Sequence, residues 1–116
     1  MIGYYDDWET ASGIPADEKV TLSENIADIA GKAAALQVLS SKENPDYERF
    51  FNSYAKSWVK AATREDVKNV AYADVHAPYN LRTNRVVVNF QEFYDTFGIK
   101  DGNGMYVAPE DRISIW

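Results

Sequence analysis

From Leu22 to Leu36 the apolar residues Leu22, Ile26, Ile29, Ala33 and Leu36 recur at steps of three and four, with no proline among them. That is the period of a helix with one buried stripe, and a strand cannot use it. Thr21-Leu22-Ser23-Glu24 has the spacing of a capping box, so a helix is predicted to start at Thr21, with Glu24 at N3, and to run to about Ser40. Asn44-Pro45-Asp46 then breaks the chain, and Tyr47, Phe50, Phe51, Tyr54 and Trp58 mark the apolar side of a second helix. Thr63-Arg64-Glu65-Asp66 opens a short third helix that carries Val67 and Val70. Asp74 to Asn84 lacks periodicity and holds Pro78, which predicts a loop, and Arg85 to Val88 reads as a brief extended stretch. Asn89 is the expected cap of a last helix over Phe90, Phe93, Tyr94 and Phe97, which Gly98 ends in a left-handed conformation. Asp101-Gly102-Asn103-Gly104 is a turn cluster, and a tail finishing in Trp116 is expected to dock. The first twenty residues, punctuated by Gly3, Gly13 and Pro15, read as irregular. The class is mainly α, with about four helices, long ordered loops and very short extended segments.

Composition removes several functions. Eighteen acidic against 12 basic residues give a net charge of −6, which argues against nucleic acid and against anionic membrane surfaces. No apolar run is long enough to span a bilayer, and Met1-Ile2-Gly3-Tyr4-Tyr5-Asp6-Asp7 does not read as a signal peptide. Without Cys there is neither a disulfide framework nor a thiolate zinc site, which makes a cytoplasmic location the expectation.

Three places can carry chemistry. Glu24 and Asp28 lie four residues apart, about 40° and about 6 Å on a helix, so their carboxylates share a face. Like charges at this spacing repel, and Asp is a poor residue for a helix interior, so a positive partner is expected. A metal ion is one answer. A capping acid followed by a solvated Asp is another. The single histidine, His76, sits in the predicted loop, where it can serve as donor or acid, or be an ordinary surface residue. Arg82 offers a fixed cationic fork for a carbonyl or carboxylate, or a structural ion pair, for which Asp74 and Asp95 are plausible partners. Aromatic stripes at helical spacing are expected to be core.

Taken in order, these segments resemble one family. Thr21-Leu22-Ser23-Glu24-Asn25-Ile26-Ala27-Asp28 is similar to the Glu-Asn-x-x-Asp zinc-ligand segment of the neprilysin-type zinc metallopeptidases, which include the endothelin-converting enzymes. Asp74-Val75-His76-Ala77-Pro78-Tyr79-Asn80-Leu81-Arg82-Thr83-Asn84 is similar to that family's Asp-x-His-[Ser/Ala]-Pro…Arg-x-Asn segment. Asn89 to Phe97, Gly104-Met105-Tyr106 and Trp116 resemble its C-terminus, and the likeness, nearest the bacterial oligopeptidase branch, covers nearly the whole chain. The family pattern differs at Ser23, where it has Gly, and at Ala30-Gly31-Lys32, where it has a Gly-Gly pair.

The resemblance implies that residues 1–116 are one partial domain, the C-terminal portion of a zincin-type catalytic domain. It implies Glu24 as the third ligand of a two-His, one-Glu zinc ion, and Asp28 as the acid that orients a zinc-bound His and donates a proton. It further implies His76 as the oxyanion stabiliser and Arg82 as the group that binds a substrate backbone carbonyl. One His cannot make a His-Glu-x-x-His motif, so this chain is expected neither to retain zinc tightly nor to cleave peptides by itself. Its expected partners are peptide substrates, the remainder of a parent peptidase, and further copies of itself through exposed apolar surface. The competing expectation is a stand-alone, non-catalytic helical interaction module, or a chain that complements a separately encoded zinc helix.

Overall fold

The structure, a computed structural model, describes residues 18–59, 61 and 63–115. Five α-helices follow in order: α1 Glu18–Ser40, α2 Tyr47–Ser57, α3 Arg64–Ala73, α4 Tyr79–Val87 and α5 Gln91–Phe97. A single 3-10 turn, Pro109–Asp111, lies in the tail. Among the described residues there is no strand. The expectations for residues 1–17, for Trp116 and for the side chains of Val67 and Val70 lie outside the described residues.

Two of the helix starts are chemical. The Asp46 carboxylate accepts from the Arg49 backbone N–H at 2.9 Å and caps α2. At α3, Thr63 Oγ1 accepts from the Asp66 N–H while Asp66 Oδ2 accepts from the Thr63 N–H, both at 3.1 Å, a reciprocal box. The box expected at Thr21 is not there. α1 already contains Glu18, and Thr21 is buried within the helix, where its Oγ1 accepts from Asn25 Nδ2 at 2.9 Å. The buried face of α1 is therefore Thr21, Asn25, Ile29 and Leu36, and Ile26 faces outward at 38% exposure. A polar couple that is hydrogen-bonded to itself can be buried cheaply, and Thr21 and Asn25 satisfy each other in this way.

The segment from Tyr79 to Val87 corrects two further expectations, since it is neither loop nor extended but helix α4. Pro78 sits at its N-cap with φ −54°, and its carbonyl accepts from the Leu81 and Arg82 N–H groups at 2.9 and 3.1 Å. The β-branched run Val86, Val87 and Val88, which suggests a strand, is buried, so packing rather than local preference decides its conformation. α4 is the fifth helix that the sequence reading lacks. Asn89 is likewise not the cap of α5, a place held by Phe90. Its amide donates back to the Arg85 and Val86 carbonyls at 2.7 and 3.2 Å, and its Oδ1 accepts from the Ile113 N–H at 2.8 Å.

Leu36 of α1, Phe51 of α2, Val87 and Val88 at the end of α4, and Phe93 and Tyr94 of α5 form the central cluster. Phe51 and Phe93 meet edge to face at 5.7 Å, a favourable geometry for aromatic pairs. The Tyr94 hydroxyl donates to the Val88 carbonyl at 2.6 Å and accepts from the Val107 N–H at 3.1 Å, which ties the tail to α4. Arg112 covers a face of this ring, its guanidinium carbon 3.7 Å from the centroid.

Two glycines make one substitution act in opposite directions. Gly98 ends α5 at φ +64°, where L side chains are strained, whereas Gly31 lies inside α1 with no atom within 4 Å of an added Cβ. Gly98→Ala is expected to lower stability by about 1 kcal/mol and Gly31→Ala to raise it by about 0.5–1 kcal/mol. Urea unfolding of the two variants checks both signs.

Candidate functional site

The site forms where α1, the end of α2 and the start of α4 meet. Asp28 is on the second turn of α1 past Thr21, and Arg82 is on the first turn of α4. Arg82 Nε donates to Asp28 Oδ2 and Nη2 to Oδ1, each at 2.7 Å, a two-point ion pair with both side chains about 15% exposed. The hydrogen bonds to Asp28 raise the Arg82 pKa above its ordinary value, burial opposing them. The positive partner that the Glu24–Asp28 spacing demands is thus, at Asp28, a guanidinium.

Asp74 and Asp95, the partners expected for Arg82, are engaged elsewhere. Asp95 Oδ1 accepts from Gln91 Nε2 at 2.8 Å one helical turn away. Asp74 closes the short loop before α4, because its Oδ1 accepts from the His76 backbone N–H at 2.9 Å and faces His76 Nδ1 at 2.8 Å. The backbone hydrogen bond, with the ring contact behind it, holds the Asp74 carboxyl below the usual range. His76 Nε2 in turn lies 3.2 Å from Glu24 Oε2. Both ring nitrogens face carboxylate oxygens, so the two contacts are hydrogen bonds together only in the imidazolium form. Ala77 and Pro78, both buried, anchor this loop, while the Glu24, Asp74 and His76 side chains remain about 38% exposed.

All four residues singled out from the sequence therefore converge, as the pairs Glu24–His76 and Asp28–Arg82. Three more side chains belong to the site. The Trp58 ring, at the C-cap of α2, lies against the Arg82 guanidinium with its centroid 4.0 Å from Cζ. The Tyr54 hydroxyl donates to the Arg82 backbone carbonyl. Lys32 Nζ sits 3.5 Å from the centroid of the Tyr54 ring. Burial lowers the Lys32 pKa against the pull of Asp28, and burial, with the Asp28 charge behind it, pushes the Tyr54 phenol up to about 12. Tyr54 and Trp58 are read as core from the sequence because the i, i+4 spacing that brings them to Arg82 is also the core spacing of α2. Lys32 lies one turn after Asp28 on α1, a spacing that sets its ammonium near that carboxylate.

A metal needs more than the described residues hold. Among the described residues no three His, Asp or Glu side chains cluster as a metal site would require, and Asp28 has both oxygens on Arg82. Glu24 presents one carboxylate where zinc takes four donors, so these residues do not fit a complete zinc site.

Comparison with known proteins gives this arrangement its context. The chain matches peptidase family M13 over residues 1–113. It is 43% identical over 116 residues to a neutral endopeptidase of Lactococcus lactis subsp. lactis, and 27% identical over 129 aligned positions to endothelin-converting enzyme 1 of Bos taurus. Each alignment takes in 100% of this chain, but only 18% and 17% of those proteins. The crystal structure of PEPO from Lactobacillus rhamnosis superposes with a TM-score of 0.90 at 38% identity, covering 100% of this chain and 18% of that one. The helical fold matches a segment of that structure. The chain belongs to peptidase family M13, and it spans about a fifth of the length of these relatives.

Tyr54 supplies a pH test. Its folded pKa is raised from 10.0 to about 12, so the stability it contributes is fully present below pH 10 and lost as pH climbs from 10 to 12. Tyr54→Phe is expected to cost about 1 kcal/mol at neutral pH and to flatten the decline over that alkaline interval. Urea midpoints measured across that range check it, and an unchanged slope in the variant contradicts it.

Proposed function

We propose that these residues form the C-terminal part of the catalytic domain of a zinc-dependent endopeptidase or oligopeptidase. One contact carries the reading: the imidazole of His76 faces the Glu24 carboxylate at 3.2 Å, joining the two sequence segments that resemble the family's ligand and substrate motifs. Family membership and the match to the PEPO crystal structure support it.

In this reading Glu24 would give one oxygen to a zinc ion, whose other protein ligands would come from the remainder of the peptidase. Zinc, when bound, supplies an acidified water and a polarised carbonyl. The chain's own residues do the rest. His76, fixed on Asp74, holds a ring N–H beside Glu24, where it can donate to the oxygen that gains charge as a peptide carbonyl is attacked. Arg82 keeps Nη1 free of the Asp28 fork and can donate through it to a substrate backbone carbonyl, which sets the register of the peptide. Asp28 holds Arg82 and retains lone pairs on both oxygens, enough to accept from a zinc-bound imidazole and to pass on a proton. Peptides are the substrates, and the remainder of the peptidase is the partner that completes the site. By itself the segment is inactive.

Glu24→Gln in the full-length peptidase tests this directly. Bound zinc and turnover are both expected to fall by more than about a hundredfold, beyond the 10–100-fold typical of residues that only support a ligand. Unchanged zinc content and turnover would refute the assignment.

A further inference from the structure

Between α1 and α2 lies a groove of about 530 Å³, whose walls include Lys32, Leu39, Arg49, Phe50, Ser53 and Tyr54. Its charge runs against that of the chain. The net charge is −6, yet two cations, Lys32 and Arg49, border the groove with a single acid, Asp46. Asp46 already gives an oxygen to the Arg49 backbone N–H as the cap of α2. Among the described residues no carboxylate lies within ion-pair distance of the Lys32 ammonium or of the Arg49 guanidinium.

Lys32 is held rather than free to wave in water. Its Nζ lies 3.5 Å from the centroid of the Tyr54 ring and 5.3 Å from that of Phe50. The ring faces attract the cation, but three N–H donors are not satisfied by ring faces as they are by oxygen. The side chain is partly removed from water, and burial lowers its pKa against the pull of Asp28. A lysine that served only solubility would keep its head in solvent. Tyr54 also ties the groove to the site, because its ring carries Lys32 while its hydroxyl donates to the Arg82 main-chain carbonyl. The groove thus begins one tyrosine ring away from the residue read as holding the peptide backbone.

We propose that this groove is a subsite for a carboxylate carried by the substrate, either an acidic side chain or the peptide's own C-terminal end, with Lys32 and Arg49 as the cations that select it. The inference rests on the peptidase reading given above and adds to it a class of substrate, peptides with a negative charge near the bond that is cut. Charge complementarity carries it, since the groove offers two cations without an acid to pair them and apolar ring walls against which a carboxylate is poorly screened.

Matched peptides given to the full-length, zinc-loaded peptidase test it. A neutral peptide, amidated at its end, is compared with twins that differ by one carboxylate, either a Glu in place of Gln at one position at a time or a free C-terminal acid. The readout is the ratio of kcat/KM, acidic twin over neutral peptide, in which any loss common to both cancels. In the wild type at least one twin is expected to give a ratio of about ten, chiefly through KM, and which twin does so tells side chain from terminus. Lys32→Met is expected to bring that ratio below about two, Arg49→Gln to lower it about threefold, and Lys32→Arg, which keeps the charge, to retain most of it. Arg49 is exposed, so its variant decides the question should Lys32→Met not fold. Ratios near one for every twin in the wild type overturn the inference, as does a ratio that the substitutions leave unchanged, and cleavage of the neutral peptide then leaves the peptidase reading standing. Failure to cleave any of the peptides overturns both.

Discussion

The two-point ion pair between Asp28 and Arg82 is the interaction on which the site depends. It joins α1 to α4 at 2.7 Å through paired hydrogen bonds, and its side chains are mostly removed from water, so it is screened far less than a surface pair. Everything nearby is in register with it. Glu24 lies one helical turn before Asp28, and His76 lies in the loop that leads into α4, so clamping the two helices sets the loop histidine opposite the carboxylate. Removing either partner would leave the other charge in a half-dry site, a loss larger than the pair's net contribution.

The same pair divides the local charge. Two carboxylates a turn apart would repel in isolation, yet each has its own partner, Arg82 for Asp28 and His76 for Glu24. The two partners differ in what they leave available. The guanidinium fork engages both oxygens of Asp28, while His76 approaches only one oxygen of a Glu24 that stays 39% exposed. Glu24 is therefore the acid with the more exposed carboxylate, and Asp28 the one held on both oxygens by a cation. Lys32 adds a further cation close by, lodged over Tyr54 and partly desolvated, which attracts the Asp28 carboxylate.

Much of this was legible in the residues. Asp46 before Tyr47, the reciprocal Thr63–Asp66 pair and Gly98 after Phe97 are local signals, and the structure uses each of them. Glu24, Asp28, His76 and Arg82 were found through motif order, and the fold brings them together. What failed were places where tertiary contacts outweigh local pattern. Thr21 reads as a cap because Glu24 follows three positions later, but burial with Asn25 makes it an interior residue. Pro78 reads as a loop residue and Arg85 to Val88 as a brief extended stretch, yet proline suits the N-cap and packing holds Arg85 to Val87 in the helix. The partner of Arg82 was sought among acids nearby in sequence, whereas a two-point pair selects by geometry across helices.

The account holds that the chain carries one metal-directed carboxylate, its two supporting pairs and a carbonyl-binding fork, with the other zinc donors elsewhere. Metal analysis of the purified chain, loaded with zinc and then dialysed against zinc-free buffer, tests that most directly. Zinc far below one ion per chain is the predicted result. One tightly held ion per chain would contradict the account.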